Sequence, residues 1–491
     1  MAEQVDAAGL PTALGAVDYL LHRGEANPRT RSGIMALEIL DTTPDWNRFR
    51  TRFDNASRKA LRLRQKVVVP TLPTASPRWV VDPDFNLDFH VRRIRVAEPG
   101  SLRQVFDLAE LMLQSPLDIA RPLWTATLIE GLPDGRAASL LHLSHAVTDG
   151  VGSVEMFAHI YDLERDPPAR PTPDQPIPED LTANDLMREG FNRLPINVAN
   201  GARGALWGAA TMVGRAVTKP GAAVAGVFNY ARSGARVVSR AAEPSPLLRR
   251  RSLATRSEAI DIPLSDLHRA AKAGGGSIND AYLAGLSGAL GRYHAALGVP
   301  LSSLPMAVPV SLRAESDAAG GNKFTGVNLA APIGTADPVA RMQKIRQQMT
   351  QRRDEPAMDI IGSFAPLLSV LPGPLLESMT GSVVGSDVQA SNVPVYPGDT
   401  FIAGAKVLRQ YGIGPLPGVA MMVVLISRGG YCTITTRYDR AAIRDEALWA
   451  RCLLEGFNEI LALAGDSVPQ AVPSSFTADQ PGATKRSAAG S

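Results

Sequence analysis

Residues 140–152 read Leu-Leu-His-Leu-Ser-His-Ala-Val-Thr-Asp-Gly-Val-Gly and join two segments with different hydrophobic patterns. The apolar run at residues 137–143 is typical of a buried strand, whereas residues 152–163 follow the pattern of an amphipathic helix. His145 and Asp149 therefore lie four residues apart on a predicted strand-to-helix turn. Such a turn can hold an imidazole at the edge of a solvent channel while a carboxylate braces the backbone around it.

His145 is the candidate general base of this turn. A transferase that moves an acyl group from a thioester to an alcohol needs a base that titrates near neutrality, and imidazole is the side chain that does so. An alternative stays open on the residues alone: the segment is a surface turn in which Asp149 caps the following helix.

Other chemistries find little support in the chain. If the strand continues through Ser144, His142 and His145 point to opposite faces and do not converge on one metal ion. The sequence has no Gly-x-Ser-x-Gly elbow, and the glycine run at residues 274–276 is followed by no Walker lysine. It also contains no nucleic-acid-binding motif. We therefore predict no metal site and no nucleic-acid partner.

Length and composition indicate a globular protein of two domains. A chain of 491 residues is too long for a single core, and its 45% hydrophobic and 20% charged residues are ordinary for a soluble protein. Two cysteines without a paired framework suit a reducing compartment. We see no signal peptide and no apolar run of about 18 residues, so we expect a cytoplasmic protein without a spanning helix.

The predicted organisation has four parts. Residues 1–181 form an N-terminal domain that contains the His-x-x-x-Asp-Gly motif, and residues 182–256 form a basic, Ala/Gly-rich crossover linker. Residues 257–465 form a C-terminal domain, and residues 466–491 form a disordered tail. Hydrophobic periodicity predicts strands at residues 66–69, 137–143, 306–310, 401–407, 419–427 and 431–438, and helices at residues 105–114, 264–273, 278–297, 339–352 and 445–464.

The linker is strongly basic. Residues 199–252 contain nine arginines and lysines but one acidic residue, and Arg232, Arg236 and Arg240 recur every four residues along one helical face. A basic amphipathic helix can lie in an anionic lipid interface. A solvated linker packed against the body of the protein is the alternative.

Several separated segments resemble the bacterial wax ester synthase/acyl-CoA:diacylglycerol acyltransferase family, within the chloramphenicol-acetyltransferase-like superfamily. Ser144–Gly150 is similar to its His-His-x-x-x-Asp-Gly motif, and Asn279-Asp280 is similar to its Asn-Asp motif. Further elements, in order, are Leu14-Gly-Ala-Val-Asp18, Asp88-Phe-His-Val-Arg92, Pro116-Leu-Asp-Ile-Ala-Arg-Pro-Leu-Trp124, Val308-Pro-Val-Ser-Leu-Arg313, Gly321-Asn322 and Ser391-Asn-Val-Pro394. Their order and spacing together make the resemblance specific.

The resemblance implies an α+β fold: two chloramphenicol-acetyltransferase-like domains, with mixed sheets flanked by helices, around a central channel. It implies that His145 is the general base and that Asp149 orients the loop through an arginine, with Arg313 one candidate partner. Gly150 completes the motif. Ser144 replaces the first histidine of the motif, a change that can alter the acceptor side or the support of the loop.

The resemblance also implies roles outside the turn. Asn279 is expected to position the thioester carbonyl, while Asp280 is expected to cap its helix. Ser391 and Asn392 are expected to line the acyl pocket or to form a turn. Channel-shaping positions are Pro122, a rigid turn, and Trp124, a bulky core anchor.

The implied activity is direct transfer of a long-chain acyl group from acyl-CoA to the hydroxyl of diacylglycerol or of a long-chain alcohol. Acyl-CoA is a co-substrate, and no cofactor is expected. The lipid substrates suit a protein whose residues 199–252 contact an anionic membrane at its inner face or a lipid droplet. Two alternatives remain: an acyltransferase for another acceptor, and a weakly active or inactive paralog that binds acyl chains or lipid surfaces.

Overall fold

The computed structural model describes residues 11–147, 156, 158–168, 170–192, 241–311, 324–353, 385–393, 395–396, 398–465 and 470–473. Its strands are β1 (Gly33–Leu40), β2 (Gln65–Val68), β3 (Arg78–Val81), β4 (Val91–Arg95), β5 (Trp124–Glu130), β6 (Ala137–Ser144), β7 (Thr255–Pro263), β8 (Leu304–Ser311), β9 (Phe324–Ala331), β10 (Val388–Val393), β11 (Phe401–Ile402), β12 (Ala405–Ile413), β13 (Met421–Arg428), β14 (Tyr431–Asp439) and β15 (Val472–Pro473).

The helices are interspersed irregularly among these strands along the chain. They are α1 (Ala16–Gly24), α2 (Trp46–Lys59), α3 (Leu87–His90), α4 (Leu102–Gln114), α5 (Leu264–Ala273), α6 (Ile278–Ala296), α7 (Pro338–Arg353) and α8 (Glu446–Leu461). Residues 183–192 are also helical. Among the described residues, no helix combines the length and the apolar character needed to cross a membrane.

The first sheet has the strand order β11-β12-β1-β6-β5-β4. Neighbouring strands are antiparallel except for the parallel pair β4 and β5. Every residue of β6 is buried, because this strand lies between β1 and β5 and is covered on both faces. The strand that precedes the His145 turn is therefore a rigid central element of the sheet.

Helix α4 covers one face of this sheet. Ser101 and Gln104 form a reciprocal capping box at its N-terminus, which supplies partners for backbone groups that a helix start leaves unpaired. Val105, Phe106 and Leu113 are buried in one cluster with residues of β1 and β6. The helix also contacts β7 of the second sheet, so it lies between the two halves of the molecule.

The second sheet has the order β15-β7-β14-β13-β10-β8-β9, with β10 parallel to both of its neighbours. Its largest cluster of buried residues includes eight residues of α6 and six residues of α8. These two helices approach closely at Gly456, where an added Cβ would lie 2.6 Å from both the Ala289 nitrogen and the Gly285 oxygen. Only glycine permits that contact.

One segment crosses from the second half of the chain into the first sheet. The strand predicted at residues 401–407 is interrupted by a turn at Ala403 and Gly404, which have φ values of 49° and 87°, and then resumes as β12. Strand β12 pairs with β1 in the register Met35 to Ile413. Residues 401–413 lie inside the predicted C-terminal range but are part of the sheet that carries the His145 turn.

Most of the predicted elements are confirmed, but the prediction of a disordered tail from residue 466 is wrong at Val472–Pro473, which form β15 and pair with β7. The helices predicted at residues 105–114, 264–273, 278–297 and 339–352 match α4, α5, α6 and α7 within a few residues, and five of the six predicted strands are present. The strand predicted at residues 401–407 is wrong as a single element, because the turn at Ala403 and Gly404 divides it. The helix predicted at 445–464 ends at Leu461 and continues as a 3-10 turn.

The helix predicted at residues 152–163 is wrong in its second half: Met156 and Ala158 are helical, but residues 159–163 are not, because Asp162 pairs with Phe401 in an isolated β-bridge. Residues 152–155 and 157, and residues 193–240 of the linker, lie outside the described residues.

Candidate active site

His145 is the first residue after strand β6. Its backbone N–H donates a hydrogen bond of 3.2 Å to the Ser32 carbonyl, and the preceding Ser144 N–H donates one of 3.0 Å to Leu123. The residue is half buried. The strands on both sides of β6 therefore fix the backbone at the exact point where the predicted base emerges.

The Ser144 side chain turns inward and stabilises the turn. It is fully buried, and its hydroxyl donates to Oε1 of Glu25 at 2.8 Å while accepting the Ala146 N–H at 3.2 Å. Serine at the position of the first histidine of the motif thus serves as a link between the buried carboxyl and the backbone on the far side of His145. It supports the loop, which was one of the two roles considered from the sequence.

Glu25 and Ser32 complete this support and were missed by the sequence analysis. Glu25 is 1% exposed, and its Oε1 also accepts the Ser32 hydroxyl at 3.1 Å. Burial raises the pKa of the Glu25 carboxyl, against the opposing hydrogen bonds from Ser144 and Ser32. A glutamate just before Asn27 and Pro28 reads as a surface turn, so no local signal could have marked it.

His142 lies three residues before His145 and is fully enclosed. Burial lowers its pKa to about 3, and its Nε2 has no hydrogen-bond partner. A Cβ added to Gly33 would lie 2.7 Å from that atom, so glycine is required on the facing strand. Among the described residues no group of three potential ligand side chains could hold a metal ion.

The remaining predicted residues fall into separate places. Asp149, Gly150 and Arg313 lie outside the described residues. Asp280 is in a capping box with Ser277, accepting its N–H and its hydroxyl at 2.8 Å each, so the capping role is confirmed. Asn279, half buried, lies one residue earlier in the same first turn of α6. Its expected role at the thioester stays a prediction.

Pro122 and Trp124 flank the start of β5. Trp124 is completely buried, donates its Nε1–H to the Leu63 carbonyl at 2.8 Å, and stacks on His90 with ring centroids 4.8 Å apart. The structure confirms the expected core anchor, and Pro122 is buried beside it. Their effect on a channel stays a prediction.

Ser391 and Asn392 belong to strand β10 and do not form a turn. They pair with Val424 and Leu425 of β13. Ser391 is half buried and Asn392 is exposed. The turn-forming alternative is therefore wrong at these two positions, because strand pairing extends through Val393. The role in an acyl pocket stays a prediction.

A cavity of about 790 Å³ lies beside the turn, between the two sheets. Gly33 forms part of its wall, and Gly33 is the strand partner of Ser144. The rest of the wall comes from the segment before β1, the end of α4, residues 249–255, the loop before β13 and the end of β14. The cavity is thus formed by both halves of the chain, and one of its wall residues, Gly33, pairs with the residue that precedes the predicted base.

Comparisons with known proteins agree with this architecture. The model for the wax ester synthase/diacylglycerol acyltransferase catalytic domain matches residues 5–282, and the model for the C-terminal domain of that family matches residues 320–461. A Mycobacterium tuberculosis H37Rv protein, provisionally named a diacylglycerol O-acyltransferase, is 75% identical over 491 residues, which is 100% of both chains. The resemblance inferred from the separated motifs is confirmed.

Solved structures show the same fold. The wax ester synthase/diacylglycerol acyltransferase from Marinobacter aquaeolei VT8 superposes with a TM-score of 0.61 at 18% identity, over 93% of this chain and 100% of that one. The first condensation domain of the calcium-dependent antibiotic synthetase gives a TM-score of 0.58 at 14% identity, over 94% and 97%. The predicted α+β fold of two chloramphenicol-acetyltransferase-like domains is confirmed.

Proposed function

Because this chain belongs to the wax ester synthase/diacylglycerol acyltransferase family and is an O-acyltransferase, we propose that it esterifies diacylglycerol or a long-chain alcohol with a long-chain acyl group from acyl-CoA. The products are triacylglycerol or a wax ester, together with free CoA. We further propose that His145 is the general base and that Asp149 orients its loop.

The position of His145 is the observation that carries this proposal. The His145 backbone N–H is hydrogen-bonded to the Ser32 carbonyl, and the neighbouring Ser144 is hydrogen-bonded to Glu25, so the backbone that carries the imidazole is fixed in position. Gly33, the strand partner of Ser144, lines a cavity that both halves of the chain form. Fixed placement of a base within reach of two bound substrates supplies much of the rate enhancement of such reactions.

The other six histidines are poorer candidates. Burial lowers the pKa of His22 and His90 to about 4 and that of His142 to about 3, so these imidazoles are weak bases. The pKa of buried His294 is also lowered by burial. His159 and His268 are exposed. His145 alone combines partial burial with the end of a central strand.

The proposed chemistry is a single displacement in a ternary complex. His145 accepts the proton of the acceptor hydroxyl as its oxygen attacks the thioester carbon, and the carbon–sulfur bond then breaks as the imidazolium protonates the departing thiolate. A covalent acyl-cysteine is disfavoured because Cys432 and Cys452 are both buried and burial raises the pKa of each thiol. The reaction needs no cofactor besides its co-substrate acyl-CoA.

The test is ester formation by purified protein. We expect labelled long-chain acyl-CoA to be transferred to diacylglycerol or to hexadecanol, and the comparison ranks the two acceptors. His145→Ala should lower kcat by about 10²–10⁴-fold while the circular dichroism spectrum stays unchanged. If neither the wild type nor the variant forms ester with either acceptor, the result would instead favour a protein that binds acyl chains or lipid surfaces.

We also propose that the basic residues 199–252 bring the enzyme to an anionic membrane surface at its inner face, or to a lipid droplet. The support is charge: apart from Arg249 and Arg251, which line the cavity, the segment contains seven basic residues and one acidic residue. Replacing Arg232, Arg236 and Arg240 with glutamate should reduce sedimentation with anionic liposomes. Unchanged sedimentation would remove this part of the proposal.

A further inference from the structure

The cavity beside the turn is strongly basic. Its described lining contains five arginines and a single acidic residue, Asp439; the arginines are Arg29, Arg31, Arg249, Arg251 and Arg437. Asp439 is already engaged, because its carboxylate accepts the Ser252 N–H at 2.6 Å, the Ser252 hydroxyl at 2.7 Å and the Ala441 N–H at 2.8 Å. These hydrogen bonds leave Asp439 charged, and Arg437 is paired with Glu110 at 3.2 Å, so the net positive charge of the lining comes from the other four arginines and suits a ligand with several negative charges.

Several of these guanidinium groups are held in place. Arg31 donates Nε–H to the Glu25 carbonyl at 3.2 Å and Nη1–H to the Gln114 carbonyl at 2.6 Å. Arg251 donates to the carbonyls of Leu248 and Arg250. Bonds to carbonyl oxygens orient a guanidinium without neutralising its charge. A pre-oriented guanidinium loses less entropy when it binds phosphate than a mobile side chain does.

The position of the cavity relates it to the reaction. Gly33 lines its wall and pairs with Ser144, so His145 lies one strand spacing and one residue away, within about 10 Å along the backbone. The cavity volume of about 790 Å³ falls in the range of small-molecule and cofactor sites. Leu253, which is 52% exposed, and Leu416 add apolar surface to the same wall.

We propose that this cavity binds the phosphorylated nucleotide end of the acyl-CoA donor, with the arginines contacting its phosphates. This inference rests on the proposed function. The two candidate acceptors carry no charge, so among the substrates only the donor presents phosphate groups. Its pantetheine arm then runs past Gly33 toward His145. Arginine forms paired, charge-assisted hydrogen bonds with phosphate oxygens, which makes it the expected residue for this task.

Arg249→Glu is the test variant, and Arg250→Glu is its matched control. Both side chains are exposed, so neither substitution should disturb folding, and both change the net charge equally. Arg249 lines the cavity and Arg250 does not. We expect adenosine 3′,5′-bisphosphate to bind the wild-type protein, with Kd raised about tenfold or more in Arg249→Glu and nearly unchanged in Arg250→Glu.

Calorimetry with the bisphosphate needs no turnover, so it separates this inference from the proposed function. A wild-type protein that does not bind the bisphosphate, or two variants with equal Kd, would overturn the assignment whether or not esters are formed. Inorganic phosphate should compete only weakly. If phosphatidylglycerol vesicles bind through Arg249 and the bisphosphate does not displace them, the cavity holds a lipid headgroup and the assignment to the donor fails.

A kinetic comparison gives a second readout. Arg249→Glu should raise KM for acyl-CoA while leaving KM for the acceptor unchanged. A short acyl thioester of N-acetylcysteamine lacks the nucleotide, so wild type and Arg249→Glu should use it equally. An equal defect with both donors would contradict a contact to the nucleotide.

Discussion

The Ser144 hydroxyl donates a hydrogen bond of 2.8 Å to Oε1 of Glu25 and so joins the end of β6 to the end of α1. The same carboxyl oxygen accepts the Ser32 hydroxyl, and Ser32 receives the His145 N–H through its carbonyl. Glu25 therefore supports the backbone of the proposed base from two sides, through Ser144 and through Ser32. It is a positioning residue.

Glu25→Ala should lower both stability and activity. The substitution leaves two buried hydroxyls without their acceptor, a loss of about 1–3 kcal/mol. Glu25→Gln keeps an oxygen at the accepting position and should stay close to wild type in both respects. Urea denaturation and kcat measured on the three proteins check this. If Glu25→Gln is as impaired as Glu25→Ala, the carboxyl has a role beyond accepting these two hydrogen bonds.

Gly33→Ala should destabilise the sheet by about 1–3 kcal/mol, because the new methyl group overlaps the buried His142 ring. Thermal denaturation gives the change. The variant His142→Ala lacks the ring atom that the new methyl group would contact. Adding Gly33→Ala to this variant should therefore lower the free energy of unfolding by less than it does in the wild-type protein. Equal costs in the two backgrounds would show that the clash is not with His142.

His142 makes stability depend on pH. Its folded pKa of about 3 lies below the value of 6.5 for the free side chain. Its contribution is therefore fully present above pH 6.5, and it is lost as pH falls and the unfolded chain takes up a proton. His142→Gln removes this dependence. Between pH 7 and pH 5 the variant should lose about 2 kcal/mol less stability than wild type in urea denaturation. Parallel losses would contradict the assigned pKa.

Glu110 connects the two halves of the molecule. From α4 it accepts the Arg437 Nε–H at 3.2 Å and the Thr255 hydroxyl at 2.5 Å, and also bonds Ser257. Glu110→Ala leaves a buried arginine without its partner, so we expect a loss of about 3–5 kcal/mol. Glu130→Ala is the control, since its pair with Arg93 is half exposed and about 0–1 kcal/mol is expected. Similar losses in chemical denaturation would contradict this role.

Local patterns predicted much of this fold. The apolar run of β6 and the long apolar period of α6 are each sufficient to identify their element, because burial on most sides leaves an almost continuous hydrophobic sequence. Local patterns could not predict which of the two sheets contains Ala405–Ile413. Its alternation of buried and half-buried residues fits the edge of either sheet, and only tertiary packing decides between them.

In the candidate site, too, some residues could be predicted from local sequence and others could not. His145 was predicted because it follows a strand and belongs to a motif. The arginines of the cavity were not, since Arg31, Arg251 and Arg437 are distant in sequence and meet only in the fold. Arg249 and Arg251 were counted within the basic residues 199–252 as lipid-binding charge. The structure places these two in the wall of the cavity.

Because β1 pairs with β12, the first sheet cannot be completed until a late part of the chain has been synthesised. Until the ribosome has released Ala405–Ile413, one edge of β1 has no partner and offers an open row of backbone donors and acceptors. The first sheet therefore closes late, and the nascent N-terminal half is exposed to aggregation while it waits. A fragment that ends before β12 retains the His145 motif but lacks the strand that pairs with β1, so the N-terminal half cannot complete its own sheet.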